Sequence, residues 1–243
     1  IRSRDLPELV GSVVLRAGGG LLLALRSGIA AFDFESGAVE MLAEPHAGRP
    51  DMRFNDGRCD RQGRFWAGTM NDVTRAPVGT LYRFDRAGLA AVLDRVAVPN
   101  SLCWSPDGRT MYFSDGREPV IDAFDYDPAT GTPSRRREFA RLPAGSGVPD
   151  GAAVDAEGFV WCAIYGGGAV HRYAPDGRLD RVVPLPVSQP TSCAFGGPAL
   201  DTLYVTTARQ RLSEQQLAAQ PLAGALLALD VGVRGLPEPE FRG

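Results

Sequence analysis

The chain is 243 residues long with a formal net charge of −3 and an isoelectric point near 5.5. That length fits one large all-β domain, and the mild acidity gives no electrostatic footprint for nucleic acid or an anionic membrane. Its basic residues are all arginine, with no lysine anywhere, which excludes Schiff-base and lysine-nucleophile chemistry.

The chain begins at Ile1 and enters a strand-like pattern with no preceding cap or turn. From there one unit recurs about every 45 residues, the size of a four-stranded propeller blade. In each copy a polar residue stands about a dozen positions ahead of an apolar strand core. Gly11-Ser12 precedes Leu21-Leu22-Leu23, and Arg53-Phe54-Asn55-Asp56-Gly57 precedes Phe65-Trp66-Ala67. Pro99-Asn100-Ser101 precedes Met111-Tyr112-Phe113, and Pro149-Asp150-Gly151 precedes Val160-Trp161-Cys162. Pro190-Thr191-Ser192 precedes Leu203-Tyr204-Val205. Between the two parts lies a hairpin turn, as in Asp60-Arg61-Gln62-Gly63-Arg64 and Ala156-Glu157-Gly158, where glycine supplies the positive φ. A second strand signal follows, as in Gly79-Thr80-Leu81-Tyr82 and Gly224-Ala225-Leu226-Leu227.

Arg135-Arg136-Arg137 reads as a solvated strand edge, and Gly166-Gly167-Gly168 as a tight inter-strand loop. One helix is expected, from Leu212 to Ala219, with Ser213-Glu214-Gln215-Gln216 as a capping box and Pro221 as its stop. It reads as an excursion between the second and third strands of the last unit. Cys59, Cys103, Cys162 and Cys193 sit in strand contexts without a C-x-x-C pair, so they are expected to be reduced core thiols of a cytoplasmic chain. No apolar run reaches membrane-spanning length, and no signal peptide is visible.

The phase of the repeat also predicts a site. Asn55, Asp56, Asn100, Asp150, Thr191 and Ser192 all open the first strand of their units, and should converge on one end of a central channel. Oxygen donors of this kind suit a hard cation such as Ca²⁺, Mg²⁺ or Mn²⁺. His46 and His171 fall outside the repeated positions, which argues against a histidine-rich zinc site. Arg53 lies two residues before Asn55, on the same side of an extended strand, where its guanidinium could bind ligand oxygens or form a rim salt bridge. Asn55-Asp56-Gly57 and Asp150-Gly151 have a plainer reading as turns. The chain has no G-x-S-x-G elbow, P-loop, G-x-G-x-x-G after a strand or H-E-x-x-H.

Arg53 through Asp60, Gly63-Arg64-Phe65-Trp66-Ala67-Gly68-Thr69-Met70, Pro99-Asn100-Ser101-Leu102-Cys103-Trp104-Ser105 and Val148-Pro149-Asp150-Gly151 closely resemble the SMP-30/gluconolactonase/regucalcin family. The resemblance runs from about Leu6 to the C-terminus. It implies a six-bladed β-propeller that hydrolyses a sugar lactone to the aldonic acid with one divalent metal, Ca²⁺ first, with Zn, Mn, Mg or Fe as alternatives. It implies Asn100 and Asp150 as metal ligands, Asp150 as the catalytic residue, and Arg53, Asn55 and Asp72 as substrate contacts. The family's N-terminal Glu ligand has no counterpart, so the first blade is expected to be incomplete within a single domain over 1–243. Truncation is the favoured explanation, and an exposed edge should then promote aggregation or a weak homodimer, the alternative being a monomer. Ser101 stands where the family often has glycine. A non-catalytic ligand- or calcium-binding propeller and a related esterase or organophosphatase are the rival functions, since fold alone does not fix function.

Overall fold

The computed structural model describes residues 3–243. Ile1 and Arg2, where the abrupt start falls, lie outside the described residues. The chain divides into two compact units, Ile1–Pro99 with Glu238–Gly243, and Asn100–Pro237.

The first unit holds two sheets. One is β1 (Val10–Leu15), β2 (Leu21–Leu25), β3 (Ile29–Phe32) and β4 (Val39–Ala43). The other is β5 (Met52–Cys59), β6 (Phe65–Asn71), β7 (Gly79–Asp85) and β8 (Gly88–Val96). The second sheet-bearing stretch begins with β9 (Pro99–Trp104), β10 (Thr110–Asp115), β11 (Val120–Asp127) and β12 (Thr132–Arg141). It continues with β13 (Val148–Val154), β14 (Val160–Tyr165), β15 (Ala169–Tyr173) and β16 (Leu179–Pro184). The last sheet has three strands, β17 (Pro190–Gly196), β18 (Thr202–Thr207) and β19 (Leu226–Asp230). Consecutive strands are neighbours throughout, so every sheet is a meander with its first strand at one edge.

The fold is therefore all-β and of the propeller class, but the described residues form five blades, not the expected six. At about 45 residues per blade the chain has material for five. The sixth came from the family resemblance and has no sixth repeat behind it. The first blade is also not the short one. β1 to β4 form a full sheet, and the three-stranded blade is the last.

Each unit has its own core. In the first, Leu22, Ile29, Phe54, Phe65 and Ala67 pack with Phe241. The C-terminal residues belong here because Phe241 bridges Arg16 and stacks on Phe84 with ring centroids 5.5 Å apart. In the second, Ile121, Val160, Cys162 and Ile164 form one cluster, and Trp161, Cys193, Leu203 and Val205 another. Fully burying such a side chain stabilises the fold by about 1.5–3 kcal/mol.

The hairpin turns carry more than glycine. Asp60 and Asp155 are fully buried. Asp60 accepts from the Trp66 indole at 3.2 Å and from the backbone of Gln62 and Arg64. Asp155 repeats this with the Trp161 indole at 2.8 Å and the backbone of Glu157 and Phe159. Gly63 and Gly158 supply the positive φ at these turns, 85° and 86°. A buried carboxylate thus ties each of these two hairpins to the tryptophan six residues on.

Helix α1 (Glu214–Ala219) lies between β18 and β19 with Ser213 as N-cap and a complete Ser213/Gln216 capping box, as the sequence predicts. The arginine run sits on the outer strand β12 and pairs with Asp122 and Asp125. The four cysteines are free and buried. Among the described residues no helix is long and apolar enough to cross a membrane.

Candidate functional site

Four of the five repeated polar positions coincide with β-bulges. β1 and β2 shift register between Val10 and Ser12, β5 and β6 between Phe54 and Gly57, β13 and β14 between Pro149 and Ala152, and β17 and β18 between Pro190 and Ser192. Asn55-Asp56, Asp150-Gly151 and Thr191 are the residues left in those shifts. An extra residue in a first strand bends it and re-aims its side chain, a common device beside functional sites. The plainer turn readings fail here, because Asn55-Asp56-Gly57 lies inside β5 and Asp150-Gly151 inside β13. The glycines serve close strand approach instead. A Cβ on Gly57 would come within 2.5 Å of Ser12 Oγ, and one on Gly151 within 2.8 Å of Ser192 Cα.

In the first unit the structure brings Arg53, Asn55 and Asp72 together. Arg53 Nε donates to Asp72 Oδ1 at 2.8 Å, and its Nη1 donates to Asn55 Oδ1 at 2.7 Å and to the Phe54 carbonyl at 2.9 Å. Asn55 Nδ2 donates to the Pro99 carbonyl at 2.9 Å. The carboxamide is therefore held at both ends, with its oxygen turned to Arg53. Asp72 also accepts from Arg26 Nη2 at 3.0 Å, and Arg75 Nη2 lies 3.5 Å away. Burial pushes the Asp72 carboxyl up, but the hydrogen bonds and charges of Arg53, Arg26 and Arg75 outweigh it and hold the group below the usual carboxylate range.

Sequence reasoning missed Arg26 and Arg75. Arg26 follows β2 and Arg75 lies in the loop after β6, 49 positions apart in number and unrelated in motif. The available signal was positional: the end of β6 pairs with the start of β5, Asn71 opposite Met52, so the loop after β6 lies at the end of the sheet where β5 begins. His46 lies between β4 and β5, with Nε2 3.0 Å from Thr69 Oγ1. Burial and the Arg49 charge lower its pKa.

In the second unit the structure brings Asn100 and Asp150 together through their strands. Asn100 is buried, and its Nδ2 lies 3.3 Å from the Pro149 carbonyl, to which it donates. That contact fixes which end of the carboxamide is the oxygen. Ser101 is fully buried and donates from Oγ to the Asp150 carbonyl at 2.6 Å. Its φ is 57°, in the left-handed region that glycine adopts freely. Thr191 Oγ1 lies 2.8 Å from Thr206 Oγ1. Burial raises the Cys162 thiol, which makes it an inert core group.

A carboxylate and a carboxamide are the hard oxygen donors that Ca²⁺, Mg²⁺ and Mn²⁺ select. No group of three or more His, Cys, Asp or Glu side chains suited to a metal occurs among the described residues. Asn100 and Asp150 thus fit such a cation in donor type, with fewer protein ligands than a closed site.

A family model described as SMP-30/gluconolactonase/LRE-like region matches residues 1–209. The chain is 43% identical over 246 residues to 6-deoxy-6-sulfogluconolactonase of Pseudomonas putida, covering all of this chain and 84% of that protein. It is 38% identical over 251 residues to regucalcin of Xenopus laevis, with the same coverage. A crystal structure of regucalcin from Agrobacterium tumefaciens, described as a calcium-binding protein, superposes with a TM-score of 0.94 at 32% identity, over 99% of this chain and 82% of that one. With its bulged first strands and its Arg53-Asn55 and Asn100-Asp150 clusters, the chain belongs to the SMP-30/gluconolactonase/LRE-like family.

Proposed function

We propose that this chain, a lactone-hydrolysing member of its family, opens the ring of a sugar lactone with one divalent cation held by Asn100 and Asp150. The observation that carries the reading is the fixing of Asp150 by Ser101 beside a buried Asn100 whose amide nitrogen is already engaged. A cation at these oxygens would supply Lewis-acid polarisation of the lactone carbonyl. Ca²⁺ is the favoured ion, because two hard oxygen donors suit it and one structural neighbour is described as calcium-binding. Zn, Mn, Mg and Fe are the alternatives.

The chain's own groups divide the remaining work. Asp150 takes a proton from the attacking water as general base. Water adds to the carbonyl carbon, the ring C–O bond breaks, and the ring oxygen leaves as a hydroxyl after receiving a proton. Arg53 donates to sugar oxygens from a guanidinium that Asp72 holds at 2.8 Å. Asn55, held at both ends, adds a fixed polar contact. Holding the substrate in a reactive pose lowers the barrier without new chemistry. Four buried cysteines outside any disulfide fit a reducing compartment such as the cytoplasm.

A non-catalytic calcium-binding propeller is the second reading, favoured by the description of the Agrobacterium neighbour. Calorimetric titration of Ca²⁺, Mn²⁺ and Zn²⁺ into chelator-stripped protein, followed by a lactone panel, separates the two. One binding site that disappears in Asp150→Ala, together with turnover, supports the enzyme. The same binding without turnover of any lactone supports the second reading. No binding removes the cation from both.

A further inference from the structure

Side chains of the second unit brace the bulge that carries Asp150. Pro149 pairs with Ile164 and Ala152 with Cys162, so Asp150 and Gly151 fall in the register shift between β13 and β14. Backbone groups in such a shift lose their regular ladder partners and need others. Ser101 Oγ on β9 donates to the Asp150 carbonyl at 2.6 Å, and Cys162 Sγ on β14 lies 3.8 Å from the same oxygen. Asn100 Nδ2 donates to the preceding carbonyl, that of Pro149, at 3.3 Å. The following carbonyl, that of Gly151, lies 3.9 Å from Cys193 Sγ on β17, whose shorter contact is the Trp161 carbonyl at 3.4 Å.

Ser101 and Cys162 also meet each other, with Oγ 3.5 Å from Sγ, and both residues are fully buried. A serine hydroxyl has a single proton. A carbonyl oxygen can only accept, so that proton is committed to Asp150. The thiol is therefore the donor in the contact between the two side chains. Its competing acceptor is the Ala163 carbonyl, also at 3.5 Å. The donor order runs from Cys162 to Ser101 and from Ser101 to the Asp150 carbonyl. An apolar side chain of the same size would fill the space and leave the serine hydroxyl free to rotate. Ser101 keeps its place in this chain at φ 57°, where any side chain is strained.

We infer that Cys162 is a positioning residue for Asp150: its thiol orients the Ser101 hydroxyl, which holds the bulge carbonyl and with it the direction of the carboxylate. The inference rests on the proposed role of Asp150 for its consequence, and on the buried contacts for its geometry. Cys162 takes no part in the bond-breaking step.

The test compares variants of the whole, chelator-stripped chain. Cys162→Ala removes the donor, Cys162→Val removes it while keeping apolar bulk, and Cys162→Ser restores it. Cys59→Ala, at a buried thiol of the first unit, controls for the loss of a core cysteine. Hydrogen exchange of the metal-free protein, read over β13 relative to β11, should quicken in Cys162→Ala and Cys162→Val. It should stay at the wild-type ratio in Cys162→Ser and Cys59→Ala. Calorimetric titration of Ca²⁺ should show affinity weakened at least about tenfold in the alanine and valine variants, with serine within about threefold of wild type. At saturating Ca²⁺, kcat on a sugar lactone should fall in the same two variants with KM unchanged, the pattern of an interaction made in the transition state. Wild-type exchange ratio and Ca²⁺ affinity in the alanine and valine variants, or a serine variant no better than alanine, would each overturn the role of Cys162. If Cys162→Ala does not fold, the valine and serine variants decide it. Absence of Ca²⁺ binding and of turnover in the wild type would remove the proposed function, and exchange over β13 would still judge Cys162. A metal-dependent wild type matched by its Cys162→Val variant would remove Cys162 and leave the function standing.

Discussion

Ser101 donates its hydroxyl to the backbone carbonyl of Asp150 at 2.6 Å, from a residue held at φ 57°. A left-handed serine is strained by about 1–2 kcal/mol, yet it is fully buried and its hydrogen bond lands on the proposed general base. Two substitutions separate these effects. Ser101→Ala keeps the strain and leaves a buried carbonyl without its donor, a loss of about 1–3 kcal/mol. Ser101→Gly loses the same bond but relieves the strain, so it should be about 1 kcal/mol more stable than the alanine variant. Urea midpoints at constant slope check the order, and Gly no better than Ala would show that φ at this position is not strained.

Gly151 gives the bulge in β13 its room. A Cβ there would lie 2.8 Å from Ser192 Cα and nearer still to the serine side chain. Gly151→Ala should destabilise the second unit by about 1–3 kcal/mol through overpacking and lower turnover by displacing Asp150. Differential scanning calorimetry with a turnover assay checks both. An unaltered melting temperature would mean that β17 yields without cost.

The buried lock at Asp155 should be far costlier to break. Asp155 accepts from Arg172 at 2.7 Å, and the two side chains are 0% and 5% exposed. Asp155→Ala strips the Trp161 indole and the turn amides of their acceptor and weakens the support of a buried cation. Loss of one partner of a buried pair costs about 3–5 kcal/mol; Glu157 and Asp180 still hold Arg172, which places the expected value at the lower end. Guanidinium denaturation monitored by tryptophan fluorescence measures it.

Asp72 carries a pH signature. Its folded-state pKa is depressed by Arg53, Arg26 and Arg75 against the opposing effect of burial, so it binds fewer protons when folded than when unfolded. The stability it contributes is present above the unfolded carboxylate pKa, near 4, and is lost as pH falls through the lower folded value. The group is partly exposed, so the contribution is about 1 kcal/mol. Urea unfolding of wild type and Asp72→Asn should differ at pH 6 and converge toward pH 3. A gap that is constant with pH would show that the ion pairs add nothing.

The blade repeat was legible because each unit repeats a glycine turn ahead of an apolar run, as at Gly63 before Phe65-Trp66 and Gly158 before Val160-Trp161. Helix α1 was legible from Ser213 and Gln216 for the same local reason. The bulges were not, because a register shift such as Phe54/Gly57 exists only between two paired strands. Neither was the Arg26-Asp72-Arg75 group, whose members meet only when β2 and β6 end at the same place. The Asp–Trp locks could have been read, since Asp60 to Trp66 and Asp155 to Trp161 share one spacing. The sixth blade failed because it came from the family and not from any repeat in the chain.

The central claim is lactone hydrolysis that depends on a cation held by Asn100 and Asp150. The most direct measurement is pH-stat titration of acid released from a sugar-lactone panel by chelator-stripped protein, with and without added Ca²⁺, Mn²⁺ or Zn²⁺. Turnover of at least one lactone should appear only with a divalent ion and fall by at least about a hundredfold in Asp150→Asn and in Asn100→Ala, with melting temperatures preserved. Full turnover without added metal, or an Asp150→Asn protein as active as wild type, would contradict the account.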